Sequence, residues 1–135
     1  MPMYRLPLLF AAALLAAPLQ GAAAQEPEWR QSAEYDVLLR PFAYEPRVIR
    51  LEAGRPVRLR FVNSGQATLS FSAKRFFRAA RVRSGDDEDV RDGTVLLEPG
   101  ERRTIVLVPR AGRYRMQSGN FVQRLLGMRG RIIVE

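Results

Sequence analysis

Apolar and polar residues alternate in short stretches along most of the chain after about residue 35. The clearest stretch is residues 56–62, in which Val57, Leu59 and Phe61 are separated by arginines. A period of two predicts a β-strand with one face in a core and the other in water. The turn residues 63–65 then end this strand.

Similar stretches, separated by turn residues, predict an all-β sandwich of seven to eight strands. The predicted strands are residues 35–42, 47–51, 57–62, 68–71, 94–97, 104–108, 114–116 and 131–134. Residues 74–80 fit either a helical turn or a packed loop. Residues 84–92 are polar and acidic, which indicates a solvated surface loop. No long helix is expected.

The first 24 residues have the layout of a secretory signal peptide. One positive charge, Arg5, precedes an apolar stretch, and alanines at 22–24 suit a cleavage site. Pro7 and Pro18 interrupt the stretch, which is shorter than the roughly 20 apolar residues a membrane span needs. We therefore expect export to the periplasm, a flexible leader over residues 25–34, one domain over 35–135, and no transmembrane segment after processing.

The composition excludes several kinds of chemistry. The chain has no cysteine and no histidine, so it offers neither a tetrahedral zinc site nor a cysteine- or histidine-dependent nucleophile. Its net charge is +8, almost all from arginines spread along the sequence without a dense run. Export argues against a nucleic-acid partner, and a solvated sandwich exterior is expected. A basic face on anionic lipid is a weaker alternative.

A series of short motifs follows one order along the chain. It comprises Phe42 and Pro46, residues 48–51, Ala53-Gly54, residues 57–63, residues 69–71, Phe76-Phe77, Pro99-Gly100-Glu101, Gly112-Arg113-Tyr114 and Gly127-Met128-Arg129-Gly130. This order resembles that of the cupredoxins, in particular the periplasmic cupredoxin-like domains of the EfeO-type iron-uptake group. The resemblance implies a Greek-key β-sandwich.

The resemblance also implies where a copper ion would be bound. A type-1 copper site uses two histidines, one cysteine and a weak axial methionine. The corresponding positions here are Leu69, Ser118, Phe121 (or Asn120 or Gln123) and Met128, of which only Met128 matches. We therefore expect no copper cofactor, and we expect Met128 to pack against Leu69 and Phe121.

Without those ligands, the expected function is that of a non-enzymatic, monomeric interaction module, an accessory in iron or copper handling. Its expected partner is a periplasmic or inner-membrane metal-transport protein. A candidate docking patch combines Phe76, Phe77, Arg78 and Arg124, although a helical turn at 74–80 would bury both phenylalanines.

The alternative is a Cu(I)- or iron-binding protein with an unorthodox site. Such a site would use Met128 and Met116 with Asn120, Gln123 or nearby carboxylates. The densest group of carboxylates lies in residues 86–92, where hard cations would find oxygen ligands.

Overall fold

The structure is a computed structural model and describes residues 26–135, so the predicted signal peptide lies outside the described residues. Ten strands and two short α-helices follow one another. They are β1 (Ala33–Arg40), β2 (Ala43–Glu45), β3 (Val48–Leu51), β4 (Val57–Asn63), β5 (Leu69–Ser72), α1 (Lys74–Ala79), β6 (Arg81–Val82), β7 (Thr94–Leu97), β8 (Arg102–Val108), β9 (Gly112–Gln117), α2 (Phe121–Leu125) and β10 (Arg129–Val134). The described residues also contain two 3-10 helices, Trp29–Gln31 and Asp87–Gly93.

The strands form two five-stranded sheets. The first sheet has the order β2-β1-β4-β8-β6, and the second has the order β3-β10-β9-β5-β7. Most neighbours are antiparallel, but β1 runs parallel to β4 and β3 runs parallel to β10. The chain passes repeatedly from one sheet to the other, so each sheet combines strands from distant parts of the sequence.

The core fills the space between the two sheets. In β4 every second residue is buried, which confirms the alternation seen in the sequence. Phe61 of the first sheet and Phe71 of the second meet across the core with ring centroids 4.8 Å apart. Both methionines of the described residues, Met116 and Met128, are fully buried in the same cluster.

The predicted fold class, an all-β sandwich, is confirmed, but the strand count was too low. The additional strands β2 and β6 contain three and two residues, too few to show a period in the sequence. The first predicted strand ends at Arg40 rather than at residue 42, because Phe42 has a φ of +65° and turns the chain. Strand β1 also begins at Ala33, inside the predicted leader.

The acidic segment was expected to be a solvated loop and is instead partly structured. Asp86 pairs with Arg83 at 3.0 Å and also accepts a hydrogen bond of 2.9 Å from the backbone N–H of Val106. Asp89 pairs with Arg103. These carboxylates therefore tie the segment to β8. Within residues 26–135, no helix is long and apolar enough to cross a membrane.

Candidate functional site

The segment between β9 and β10, residues 118–128, closes one end of the sandwich and contains α2. The side chain of Asn120 begins α2 by accepting hydrogen bonds from the N–H groups of Val122 (2.9 Å) and Gln123 (3.2 Å). This is the usual way to satisfy the unpaired N–H groups of a first helical turn. Backbone hydrogen bonds from Ser118 to Met128 and from Met128 to Gln123 hold the segment closed.

Inside this segment, the hydroxyl of Ser118 is fully buried and fully engaged. It donates to Oε1 of Gln123 at 2.8 Å and accepts from the N–H of Asn120 at 3.1 Å. Because its only proton goes to Gln123, the contact of 3.3 Å with Ser70 must be donated by Ser70. The Oγ of Ser70 in turn accepts a hydrogen bond of 2.7 Å from the N–H of Gly119.

A buried tyrosine supports the same group of side chains from the other sheet. The phenol of Tyr44 on β2 donates a hydrogen bond of 2.6 Å to the backbone oxygen of Ser70. Burial raises the pKa of Tyr44 far above its ordinary value, so this phenol remains a donor over the physiological pH range. The Ser70–Ser118–Gln123 network is therefore anchored to both sheets.

The positions implied for copper ligands meet at this end, with one correction. Leu69 and Met128 are buried in the core cluster. Ser118 donates its backbone N–H to the carbonyl oxygen of Met128 at 3.0 Å, and its hydroxyl contacts Ser70, the residue after Leu69. Phe121 does not pack onto Met128 as expected, because 66% of its surface is exposed on α2. The side chain that reaches Ser118 is Gln123, one of the three candidates for that ligand position.

The outer surface of this end is strongly apolar. Four residues in or just after α2 are exposed, namely Phe121, Val122, Leu125 and Leu126. Phe42 is also exposed, and its backbone oxygen lies next to Gly127, the residue after Leu126, since a Cβ on Gly127 would lie 3.4 Å from it. We call these five residues the α2 surface. The guanidinium of Arg124 lies 5.7 Å from the ring centroid of Phe121.

Of the two alternatives for residues 74–80, the structure has the helical turn that buries Phe76 and Phe77, so these two residues form no exposed patch. Phe76 and Phe77 are 1% and 6% exposed, because both turn inward from the helix α1. Phe76 contacts Tyr114 near the start of β9, whereas α2 follows the other end of that strand. Arg78 on α1 and Arg124 on α2 are thus on elements at different ends of β9, and only Arg124 adjoins the α2 surface.

The groups proposed for an unorthodox metal site have other roles in the structure. Asn120 caps α2, and the amide oxygen of Gln123 accepts a hydrogen bond from the hydroxyl of Ser118. Met116 lies over Gly130, where a Cβ would collide with its Cε. Within the described part of the chain, no three carboxylates are grouped closely enough to hold a metal ion.

Sequence reasoning missed α2 and its exposed surface. The signals were present: Asn120 is a favoured helix N-cap, and Gly127 follows the helix with a φ of +113°. Apolar residues spaced four apart, at 121 and 125 and at 122 and 126, also share one helical face.

Solved structures of other proteins have the same architecture. The reduced auracyanin from the photosynthetic bacterium Roseiflexus castenholzii superposes with a TM-score of 0.56 at 18% identity, over 77% of this chain and 98% of its own. Auracyanin B gives 0.56 at 19% identity, over 82% and 91%. The fold is cupredoxin-like. A multi-copper oxidase from Pseudomonas thermotolerans matches with a TM-score of 0.58 at 17% identity, over 77% of this chain but only 29% of the oxidase.

At these identities the likeness shows the fold alone. No family model and no curated protein sequence matches the chain. The side chains of this protein do not fit type-1 copper, since the chain has no cysteine and no histidine. The positions that the resemblance implies for a thiolate and an imidazole hold Ser118 and Leu69. The hydroxyl of Ser118 is, in addition, already committed to Gln123.

Proposed function

We propose that this protein is a copper-free docking module on a cupredoxin-like scaffold, exported to the periplasm, where it serves iron or copper handling. The observation that carries the proposal is the pairing of two features at one end of the sandwich. The interior of that end is closed by the Ser70–Ser118–Gln123 network, and its exterior is the exposed α2 surface.

The closed interior argues against a metal-dependent role. A serine hydroxyl is neither soft nor deprotonated at neutral pH, so it cannot replace the thiolate on which a blue-copper site depends. A metal ion there would also have to break the hydrogen bonds of Ser118 and leave buried polar atoms without partners. A buried thioether, Met128, is the only family ligand kept.

The exposed exterior argues for a protein partner. Clusters of exposed apolar side chains on a soluble domain commonly mark interaction sites. Aromatic and arginine side chains, here Phe121 and Arg124, are enriched where binding energy concentrates. The proposed partner is a periplasmic or inner-membrane metal-transport protein, which follows from the resemblance to the iron-uptake group.

Two measurements on protein from the envelope fraction of the native cell test the proposal. Anaerobic titration with Cu(I) and Fe(II) should show no stoichiometric binding. Site-specific photo-crosslinking in vivo should give one discrete protein adduct from position 125 on α2. Position 96 on β7 is the matched control, because Leu96 is 55% exposed and Leu125 69%.

We expect Leu125→Asp to abolish the adduct formed from position 122, and Leu96→Asp to leave it intact. One tightly bound metal per chain, lost in Met128→Leu, would replace this proposal with the metal-binding alternative. Equal crosslinking from positions 125 and 96 would contradict the proposal that α2 is the docking surface.

A further inference from the structure

The second sheet carries a concentration of arginines on its outer face. They are Arg50 on β3, Arg113 and Arg115 on β9, and Arg129 and Arg131 on β10. All five are exposed, while the residues that alternate with them, such as Ile132 and Met116, are buried. Successive side chains of a strand point to opposite faces, so the five arginines share the solvent face. We call them the arginine face.

These arginines are not neutralised within the chain. None of the ion pairs of residues 26–135 involves a member of the arginine face. Arg131 stands directly opposite Arg115 in the ladder between β10 and β9. Like charges at directly opposite positions destabilise a sheet, so the fold retains an arrangement that costs it stability.

The first sheet neutralises some of its arginines with carboxylates, although Arg58 and Arg102 make no ion pair within residues 26–135. Arg60 on β4 makes a bidentate pair with Asp36 on β1, at 2.6 and 3.0 Å, and also lies 3.6 Å from Glu34. The hydrogen bond from Arg60 holds the pKa of Asp36 below its ordinary value. The chain thus provides carboxylates opposite an arginine on one sheet and provides none on the arginine face.

Part of the arginine face lines a depression in the protein surface. Arg115, Gln117, Arg129 and Arg131 line an open depression of about 400 Å³ above Gly130. Strands in a sheet lie about 4.8 Å apart, so the five guanidinium groups spread over three neighbouring strands rather than meeting at one point. Val48 and Ile133 lie among them on the same face.

We propose that the arginine face binds the surface of an anionic phospholipid bilayer. A leaflet presents phosphates across its whole area, so it can pair with all five guanidinium groups at once. A single acidic peptide strand crossing the sheet would reach fewer of these guanidinium groups. Arginine binds phosphate through paired N–H donors, and the apolar Val48 and Ile133 suit the boundary between headgroups and acyl chains. This binding is separate from the docking at the α2 surface and does not depend on it.

Co-sedimentation with vesicles tests the proposal, using equimolar phosphatidylglycerol and phosphatidylcholine. The face variant combines Arg115→Gln, Arg129→Gln and Arg131→Gln. The matched control combines Arg58→Gln, Arg75→Gln and Arg102→Gln, which lie on β4, α1 and β8 and make no ion pair within residues 26–135. Both variants lose the same net charge, and residues 1–24 are identical in all three proteins.

Each arginine near an anionic membrane contributes roughly a fivefold gain in affinity, so the face variant should bind about 100-fold more weakly than the wild type. The control should stay within roughly threefold of the wild type, because its arginines are not held against the leaflet together. Wild-type binding should fall steeply as salt is raised above about 0.1 M and vanish on pure phosphatidylcholine. An unfolding temperature of the face variant equal to or above that of the wild type would show that its loss of binding is not a loss of fold.

Three results would overturn the proposal. Equal losses in the face and control variants would show that the binding depends only on net charge. No binding of the wild type to the mixed vesicles would rule out an anionic bilayer as the ligand of the arginine face. Binding to poly-glutamate without binding to vesicles would assign the arginine face to an acidic protein instead.

Discussion

Ser118 shows how one buried side chain can connect several segments at one end of the sandwich. Its hydroxyl has one proton and one small oxygen, yet it connects Ser70, Gln123 and the backbone of Asn120. Every buried side-chain nitrogen and oxygen of residues 26–135 has a hydrogen-bond partner. A completely satisfied polar network of this kind stabilises one arrangement of these segments over others.

Ser118→Ala should therefore lower the free energy of unfolding by about 1–3 kcal/mol, because the buried Ser70 and the half-buried Gln123 each lose a hydrogen-bond partner. Urea denaturation measures the change. Ser84→Ala is the control, since Ser84 is exposed and should change stability by less than about 0.5 kcal/mol. Equal effects of the two substitutions would contradict the role given to the network.

Among the elements, α2 depends most on a single side chain. It has only five residues, far below the length at which a helix is stable alone. Its side chains contribute no member to the buried core. Its start is fixed by Asn120, and its residue Gln123 completes the network with Ser118.

Asn120→Ala should cost about 1 kcal/mol and raise the amide hydrogen-exchange rates of Val122 and Gln123, whose N–H groups lose their acceptor. Asn120→Asp keeps an acceptor of similar quality and should leave both rates close to those of the wild type. If the two variants exchange alike, the cap is not what holds α2.

The contrast between β4 and α2 explains how far the sequence predicts this fold. The side chains of β4 alternate between core and solvent, so burial itself produces the pattern and the strand was predicted. In α2 the apolar side chains face solvent, so rules that assign apolar residues to the core misplace it. For Phe76 and Phe77 the sequence left an exposed patch and a buried helical turn open, and the structure has the helical turn.

At the scale of the whole molecule, function-bearing positions are brought together from distant segments. The arginines of the arginine face form no run in the sequence, because they become neighbours only when β3, β9 and β10 lie side by side. The four positions that the resemblance implies for copper ligands likewise come from β5, the residue after β9, α2 and the residue before β10. Spacing in the sequence could not decide which of Phe121, Asn120 and Gln123 reaches Ser118, because that depends on how α2 is oriented.

That geometry predicts how copper binding could be restored. With Met128 in place, the combination Leu69→His, Ser118→Cys and Gln123→His should bind Cu(II) and develop the intense thiolate charge-transfer absorption of a type-1 site. The matched combination with Phe121→His in place of Gln123→His should not, because residue 121 faces solvent. Absorption and electron paramagnetic resonance spectra distinguish them. Equal copper spectra from both would show that Gln123 does not occupy the ligand position.

The position of β10 has a consequence for the order in which the sandwich can be completed. Strand β10 lies between β3 and β9, and it is the only partner that β3 has. Every other strand of the described fold precedes β10 in the chain. Strand β3 therefore has no partner in the second sheet until Arg129–Val134 pairs with it. The second sheet is complete only once this strand lies between β3 and β9, and the arginine face does not exist before that pairing forms.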